Sequence, residues 1–298
     1  VSTETDTVVF EGQRSRLLAH AYRMLGDVGR AEDIIQDAWL RWRGRQEAVD
    51  DPKSFLLTIV TRLCLNELDS ARYRKEESRA DRLPEPIDLR QTGLDRLETL
   101  DRISMAFVVV LQRLTPAERA VLLLHDVFDL SHAEVARNLG RSEEACRQLL
   151  SRARQNVQEE KRVFETSKAD EERLLHAFVQ ASNGGNQQEM LELLADDATM
   201  VIDTGLAGGR VGRIRNVGKP IHGRKRIAAF LAAVASQGED FGTAMPWVLN
   251  GEPAVALIKD GAPRAAIFVS VADGRVRHVF VQADPAKLAS LGARVSLS

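Results

Sequence analysis

Three side chains in the C-terminal half could move a proton: Asp203, His222 and His278. A carboxylate or imidazole in a cleft serves as general acid or base when its surroundings tune its pKa. Asp203 closes the strand-like run Met200–Ile202, where it could face a pocket. His222 sits in Pro220-Ile221-His222-Gly223, directly before a helical pattern, a place that equally suits a turn or a cap. His278 lies within the strand-like run Val276–Val281 and could point to either face. Nothing near them in sequence completes a nucleophile triad, a metal cluster or a phosphate loop, and Gly208-Gly209 is too short for the last. Structural use is the expectation for all three, with no catalytic residue, no metal and no cofactor. The two cysteines, Cys64 and Cys146, lie far apart and outside any CxxC pair, so neither a disulfide framework nor a zinc site is expected.

A different chemistry, recognition, is written into Phe128–Arg154, FDLSHAEVARNLGRSEEACRQLLSRAR. Ser131 and Glu134 form an S-x-x-E capping box that starts a helix running to about Asn138. Leu139-Gly140-Arg141 turns the chain, and Ser142 can cap a second helix. Two short helices about a glycine turn make a helix-turn-helix. On the second helix Ala145, Cys146, Leu149 and Ala153 share the apolar side. Glu144, Arg147, Gln148, Ser151 and Arg152 face outward, where Arg suits guanine edges, Gln adenine edges, and Ser or Arg phosphates. Upstream, Thr115, Pro116 and Glu118 repeat the helix-start logic before the apolar run Val121–Leu124.

Two further surfaces stand out near the N-terminus. In Ala31–Trp42 (AEDIIQDAWLRW), Ala31, Ile34, Ile35, Ala38 and Trp42 cluster inward, while Asp33, Gln36, Asp37 and Leu40 share the outer side. A leucine among carboxylates fits a partner surface with an apolar anchor inside an acidic rim. In Ser54–Lys75 (SFLLTIVTRLCLNELDSARYRK), Thr58, Arg62, Asn66 and Asp69 lie near one another, followed by Arg72, Tyr73 and Arg74. Basic residues attract phosphates, Asn and Asp can read base edges, and Tyr73 can stack on an unpaired base.

The elements that must position these residues fall into zones. Helical periodicity covers about Phe10–Arg79 and Leu94–Thr166, separated by the Pro-containing stretch DRLPEPIDLRQTG. Helices continue over Asp170–Leu194. Strand-like runs follow at Met200–Ile202, Val255–Ile258, Ala265–Val271 and Val276–Val281, interrupted by a helix over Arg224–Ala235. Asp260-Gly261 and Asp273-Gly274 read as hairpin loops. The 298 residues are 44% hydrophobic and 28% charged with net charge -2, which excludes a disordered chain and a protein that coats nucleic acid by bulk charge. Val1–Asp6 is polar and acidic, unlike a secretory leader, and no apolar run is long enough to span a bilayer; a reducing cytoplasm is the expected location.

Taken in order, AEDIIQDAWLRW, SFLLTIVTRLCLNELDSARYRK and LTPAERAVLLLHDVFDLSHAEVARNLGRSEEACRQLLSRAR resemble an extracytoplasmic-function sigma factor over about the first 165 residues. The remainder resembles a SnoaL-like domain of the NTF2 fold, and the whole chain the actinobacterial SigJ type that carries such an extension. The implied fold is multi-domain: region 2 at 1–80, a linker at 81–98, the region 4 helix-turn-helix at 99–166, an α+β NTF2-like domain at 167–290 and a tail at 291–298. The resemblance implies that Asp33, Gln36, Asp37 and Leu40 dock on the β′ clamp helices of RNA polymerase. It assigns Arg62, Asn66, Asp69, Arg72, Tyr73 and Arg74 to the −10 element, and Glu144, Arg147, Gln148, Ser151 and Arg152 to the −35 element. Region 4 would also meet the β flap. The subgroup's linker motif is met by Leu83-Pro84-Glu85-Pro86. Its late motif is met by Asp284-Pro285-Ala286-Lys287-Leu288, and its Gly-rich motif loosely by Ala207–Arg210. These segments are expected to hold the domains in one arrangement, with no dedicated anti-sigma factor.

Two other readings remain. One is a ligand-sensing helix-turn-helix regulator that acts without polymerase. The other is an NTF2-like isomerase or cyclase tethered to a DNA-binding module.

Overall fold

The computed structural model describes residues 3–45, 49–70, 82–92, 103–158, 167–205, 210–211, 214–215, 219–238 and 240–295. Contacts divide the chain into two compact units: 1–75 with 89–103 and 107–160, and 76–88 with 104–106 and 161–298. Both sigma-like helical segments thus share one unit, and the first part of the linker belongs with the C-terminal one.

The first unit is helical: α1 (Thr3–Leu25), α2 (Val28–Arg43), α3 (Pro52–Asp69), α4 (Leu89–Thr92), α5 (Met105–Gln112), α6 (Pro116–Leu122), α7 (His132–Leu139) and α8 (Glu143–Gln158), with α5 beginning in the residues counted with the second unit. Local chemistry sets the starts. Asp27 accepts the Arg30 N–H at 2.8 Å, and Asp51 accepts those of Lys53 and Ser54 ahead of Pro52. Both expected capping boxes, Thr115/Glu118 and Ser131/Glu134, are closed in both directions. Gly140 takes φ 62°, the left-handed region that a turn after α7 requires. Between α6 and α7 the chain widens into one π-helical turn, Leu123–Val127. The inward faces follow the helical period: Ala31, Ile34, Ile35, Ala38 and Trp42 of α2 are buried, as are Leu56, Leu57, Val60 and Cys64 of α3. Burial pushes the Cys64 thiol far up and keeps it protonated.

The second unit joins α9 (Lys168–Gly184) and α10 (Gln187–Leu193) to a mixed sheet, with α11 (Arg224–Ala235) and α12 (Pro285–Val295) packed on it. The six-stranded sheet has the order β4-β1-β8-β7-β6-β5: β1 (Leu194–Asp203), β4 (Ile221–His222), β5 (Thr243–Leu249), β6 (Glu252–Lys259), β7 (Ala262–Ala272) and β8 (Arg275–Gln282). Among the described strands of this sheet only the β1–β8 pair is parallel. β2 (Arg210–Val211) and β3 (Ile214–Arg215) form a separate ribbon. Leu174, Phe178 and Ile227 from the helices pack with Met200, Ile202, Val269, Val271, Val276 and Val279 from one sheet face into the core. Asp260 and Asp273 adopt φ 52° at the two expected hairpin turns.

Candidate nucleic-acid and protein interfaces

On α8 the outward set is exposed in full: Glu144, Arg147, Gln148, Ser151 and Arg152. The inward face differs from the expectation at Ala145 and Leu149, both only half-buried. Cys146, Leu150, Ala153 and Val157 are buried, because the stripe follows i, i+4, i+7, i+11. Arg147 is drawn to Glu143 one turn back at 2.9 Å, an exposed pair worth about 0–1 kcal/mol that another acceptor can displace. Asp126, from the π turn, takes a bidentate hold on Arg154, 3.1 Å to Nε and 2.6 Å to an Nη, and also meets His125 at 2.8 Å. Burial opposes ionisation of Asp126, but these partners hold its carboxyl below the usual range. The pair fastens α8 to the turn that precedes the motif.

Asp33, Gln36, Asp37 and Leu40 are all exposed on α2 while its opposite side is buried. Leu40 is 61% exposed, a large apolar side chain presented to solvent one turn beyond Gln36 and Asp37. Trp39 is half-buried with its ring 5.0 Å from Phe10, and Trp42 is 1% exposed, donating from its indole to Asp6 O at 3.0 Å.

Arg62, Asn66 and Asp69 are exposed along α3. Arg72, Tyr73 and Arg74 lie outside the described residues. The upper part of this face is engaged within its own unit. Arg62 Nε donates to Asn138 O at 3.1 Å, and the Asn138 amide donates to Thr58 Oγ1 at 2.8 Å. Asn138 is the next-to-last residue of α7, so the first helix of the helix-turn-helix clasps the polar face of α3. Arg119 supports the same arrangement. It is 1% exposed and donates to the carbonyl oxygens of Leu111 at 2.8 Å and of Met24, at the end of α1. His20, buried and hydrogen-bonded to Thr61 at 2.9 Å, sets its ring edge-on to Phe128 at 5.0 Å. Burial first, then Arg23 and Arg16, push its pKa down to about 3, so it stays neutral.

Within the second unit, the linker is seated residue by residue. Leu83 to Asp88 are all buried. Leu83 N–H donates to Asp203 at 3.0 Å. The Gln282 amide donates to Leu83 O at 3.2 Å and Pro84 O at 3.1 Å, and Lys287 Nζ donates to Leu83 O. Ser290 donates to Glu85 at 3.0 Å, and Arg82 meets Asp284 at 3.1 Å. Ile87 and Asn250 exchange bonds, Ile87 N–H to Oδ1 at 2.9 Å and Asn250 N–H to Ile87 O at 2.7 Å. Trp247 closes the row on Asp88 at 3.2 Å. A proline-containing segment has few N–H donors, so side chains of the domain satisfy its carbonyls.

Asp203 and Lys287 lie at the centre of this seam, 2.8 Å apart and with side chains 0% and 12% exposed. Burial alone would raise the Asp203 pKa. The Lys287 charge and bond, with the N–H groups of Leu83 and Gly205, hold it below the usual carboxylate range. Lys287 shifts down as well, because for it burial outweighs the attraction of Asp203. The two directions differ in cause: the carboxylate collects several donors, and the ammonium mainly loses water. Asp284 is equally confined, since a Cβ on Gly205, whose φ is 82°, would lie 2.9 Å from its carboxyl.

Asp203, which the sequence left free to face a pocket, is buried instead, and its oxygens accept from the N–H groups of Leu83 and Gly205, the Gln282 amide and the Lys287 ammonium. His222 is exposed, 3.3 Å from Thr199, and His278 is buried and stacked on Phe280 at 5.8 Å between centroids. Both pair with Thr199 in register, one from each side, so they share a row of the sheet and not a site with Asp203. An open cavity of about 420 Å³ elsewhere on the unit is lined by Asp196, Asp197, Arg224, Arg275 and Arg277, and by none of the three. The sequence reading also missed Asn250, Gln282 and Trp247. Asn250-Gly251 carried a hairpin signal that could have placed Asn250 at a turn; nothing local marks the other two.

Comparison with known proteins agrees with this layout. The models for Sigma-70 region 2 and Sigma-70 region 4 match residues 9–74 and 104–157. The ECF RNA polymerase sigma factor SigJ of Mycobacterium tuberculosis is 34% identical over 93% of this chain and 91% of its own. The probable ECF RNA polymerase sigma factor SigI of the same species is 29% identical over 97% of each chain. The crystal structure of M. tuberculosis SigJ superposes with TM-score 0.73 at 30% identity, covering 94% of this chain and 97% of that one.

Proposed function

The chain belongs to the extracytoplasmic-function family of sigma factors and so binds core RNA polymerase and directs promoter-specific initiation without being an enzyme, and from that premise we propose how its surfaces divide the work. Asp33, Gln36, Asp37 and Leu40 dock on the β′ clamp helices. Region 4 meets the β flap and sets α8 into the major groove of the −35 element, with Arg147, Gln148, Ser151 and Arg152 at the bases and phosphates. Arg62, Asn66 and Asp69, continued by Arg72, Tyr73 and Arg74, hold the −10 strand with a base outside the stack, at an unstacking cost of a few kcal/mol offset by pocket contacts. The protein works in the cytoplasm, where its promoters are; no described helix is long and apolar enough to cross a membrane.

The C-terminal domain replaces a dedicated anti-sigma factor. By fixing residues 82–88 it controls the tether between the two promoter-reading regions, while the α3–α7 clasp keeps the −10 face engaged until polymerase separates them.

The observation that carries this reading is Leu40, exposed on the same side as Asp33, Gln36 and Asp37 of a helix whose Ile34, Ile35 and Trp42 are buried. Run-off transcription with core polymerase tests it. Wild-type protein should initiate at its promoter, and Leu40→Asp should lose core binding while still binding duplex DNA. If Leu40→Asp joins core as well as wild type, the docking assignment is wrong; if the protein binds its site but never supports initiation, the regulator reading takes over.

A further inference from the structure

β1 and β8 run parallel, and their ends, Asp203 and Gln282, receive the linker. Their starts are irregular. β1 spends Ala195 to Ala198 between Leu194 and Thr199, whose partners on β8, Val276 and His278, are separated by Arg277 alone. Arg277 is also the extra residue against β7, because Val276 and His278 pair with the adjacent Val271 and Ser270. Two bulges thus meet at one place. A bulge re-aims side chains that a regular pleat would set on fixed faces. The open cavity of about 420 Å³ lies there, within the size range of small-molecule sites.

The cavity is lined by Arg224, Arg275 and Arg277, by Asp196, Asp197 and Asp273, and otherwise by two alanines. The two signs differ in depth. The side chains of Arg224 and Arg277 are 33% and 29% exposed, while their carboxylate partners, Asp196 at 2.7 Å and Asp197 at 3.1 Å, are 83% and 63% exposed. These guanidiniums are the sunken groups and the aspartates form the rim. Two charges stay open. Asp273, at φ 52° in the β7–β8 turn, forms no ion pair among the described residues, and Arg275 has only a 3.5 Å contact with Leu194 O.

We propose that this cavity binds a small zwitterion of the amino-acid class, its carboxylate taken by the guanidiniums and its ammonium by the aspartates. A simple anion would meet the three carboxylates, and a simple cation the three guanidiniums. An apolar molecule would strip water from all of these charges and offer nothing in its place. A ligand carrying both signs answers both sets. Arg275 supplies a planar fork for a carboxylate, and Asp273 an acceptor for an ammonium, without breaking an existing ion pair. Asp196 and Asp197 hold Arg224 and Arg277 from the solvent side, and pairs exposed in this way exchange partners at little cost.

The test is binding to the full chain, read by titration calorimetry and by the amide NMR shifts of residues 195–197 and 272–277. The probes are glycine, γ-aminobutyrate and ε-aminocaproate, which differ in charge separation, with butyrate and butylammonium as single-charge comparators. At least one probe should saturate below ~10 mM and bind ~10-fold or more tighter than either comparator, the factor that one lost charge-assisted bond carries. Asp273→Asn, a replacement the left-handed turn tolerates, should weaken that probe ~10-fold and leave butyrate unchanged, whereas Arg275→Gln should weaken both. Both variants alter exposed side chains and should melt with wild type when no probe is present. Arg264→Gln, an exposed arginine paired with Asp260, should bind as wild type does. Failure of all three probes to saturate overturns the proposal. So does equal binding of a comparator, and so does unchanged affinity in Asp273→Asn or Arg275→Gln. None of these readouts involves polymerase or promoter, so such a failure leaves the role in initiation untouched.

Discussion

Removing the Asp203 carboxylate tests the seam at its centre. In Asp203→Ala four donors lose their acceptor: the N–H groups of Leu83 and Gly205, both at 3.0 Å, the Gln282 amide at 3.2 Å and the Lys287 ammonium at 2.8 Å. The ammonium dominates, because it stays 12% exposed and keeps only carbonyl and more distant acidic partners. Breaking one side of a buried pair costs about 3–5 kcal/mol. At about 2–4 °C per kcal/mol for a domain of this size, the melting temperature should fall by roughly 6–20 °C. Calorimetry and urea unfolding of the full chain measure it, and limited proteolysis across residues 82–88 reports whether the linker has left its seat. Lys287→Met, which keeps the stem and removes the charge, supplies the second side of a double-mutant cycle. The double variant should be more stable than the sum of the singles predicts by ~1–3 kcal/mol. Additivity within ~0.5 kcal/mol, or a cost below ~1 kcal/mol for Asp203→Ala, would refute the reasoning. The pair also sets an acid limit. The folded pKa of Asp203 lies below its unfolded value, so its contribution is complete above about pH 4 and is lost as pH falls through the folded value.

Three further outcomes are expected. Arg147→Ala and Arg152→Ala should each weaken −35 binding by ~1–3 kcal/mol where the contact is to a base, with promoter selectivity as the readout; unchanged selectivity in both moves recognition elsewhere. Asn138→Ala removes the amide bond to Thr58 and leaves the carbonyl that Arg62 uses, loosening the clasp by one hydrogen bond of about 0.5–1.5 kcal/mol. Run-off yield at limiting protein should rise by roughly 2–10-fold; equal or lower yield argues that the clasp does not restrain initiation. Glu252 accepts the Met105 N–H at 2.8 Å, and its pKa is pushed up to about 8, chiefly by burial. A raised carboxyl pKa contributes stability that is full below the unfolded value and disappears as pH climbs toward the folded one. Wild-type protein should therefore lose stability to urea between about pH 5 and pH 8, and Glu252→Gln should flatten that slope; identical slopes count against the assignment.

Where side chains act on their own backbone, the sequence was legible. Thr115 with Glu118, Ser131 with Glu134, Gly140, and the turns at Asp260 and Asp273 are local devices whose residue types state their geometry. The helix Arg224–Ala235 was readable to its ends. β5 was not, because Pro246 sits in its middle; the strand is at the sheet edge, where proline is tolerated. The π turn left no sequence mark, since Leu123–Val127 reads as continuing helix. The linker could be seen as a motif, but its berth could not. Asn250, Gln282 and Trp247 are single residues on separate strands, and only the sheet order brings them beside Ile87, Leu83 and Asp88. The same limit explains Asp203, whose place at a strand end was plain while its partners, Leu83 and Lys287, lie 120 and 84 residues away.

That sequence separation has a consequence in time. Asp203, Asn250, Gln282, Lys287 and Ser290, which receive residues 82–88, all come later in the chain than the helices that read promoters. Ribosomes add about 5–20 residues per second, so the stretch of roughly 130 residues from the end of α8 to Ser290 takes roughly 7–26 s to appear. During that interval the nascent protein has finished its promoter-reading helices and has nowhere to berth its tether. Each newborn molecule passes through an unlatched youth, and a chain cut short before Lys287 never leaves it.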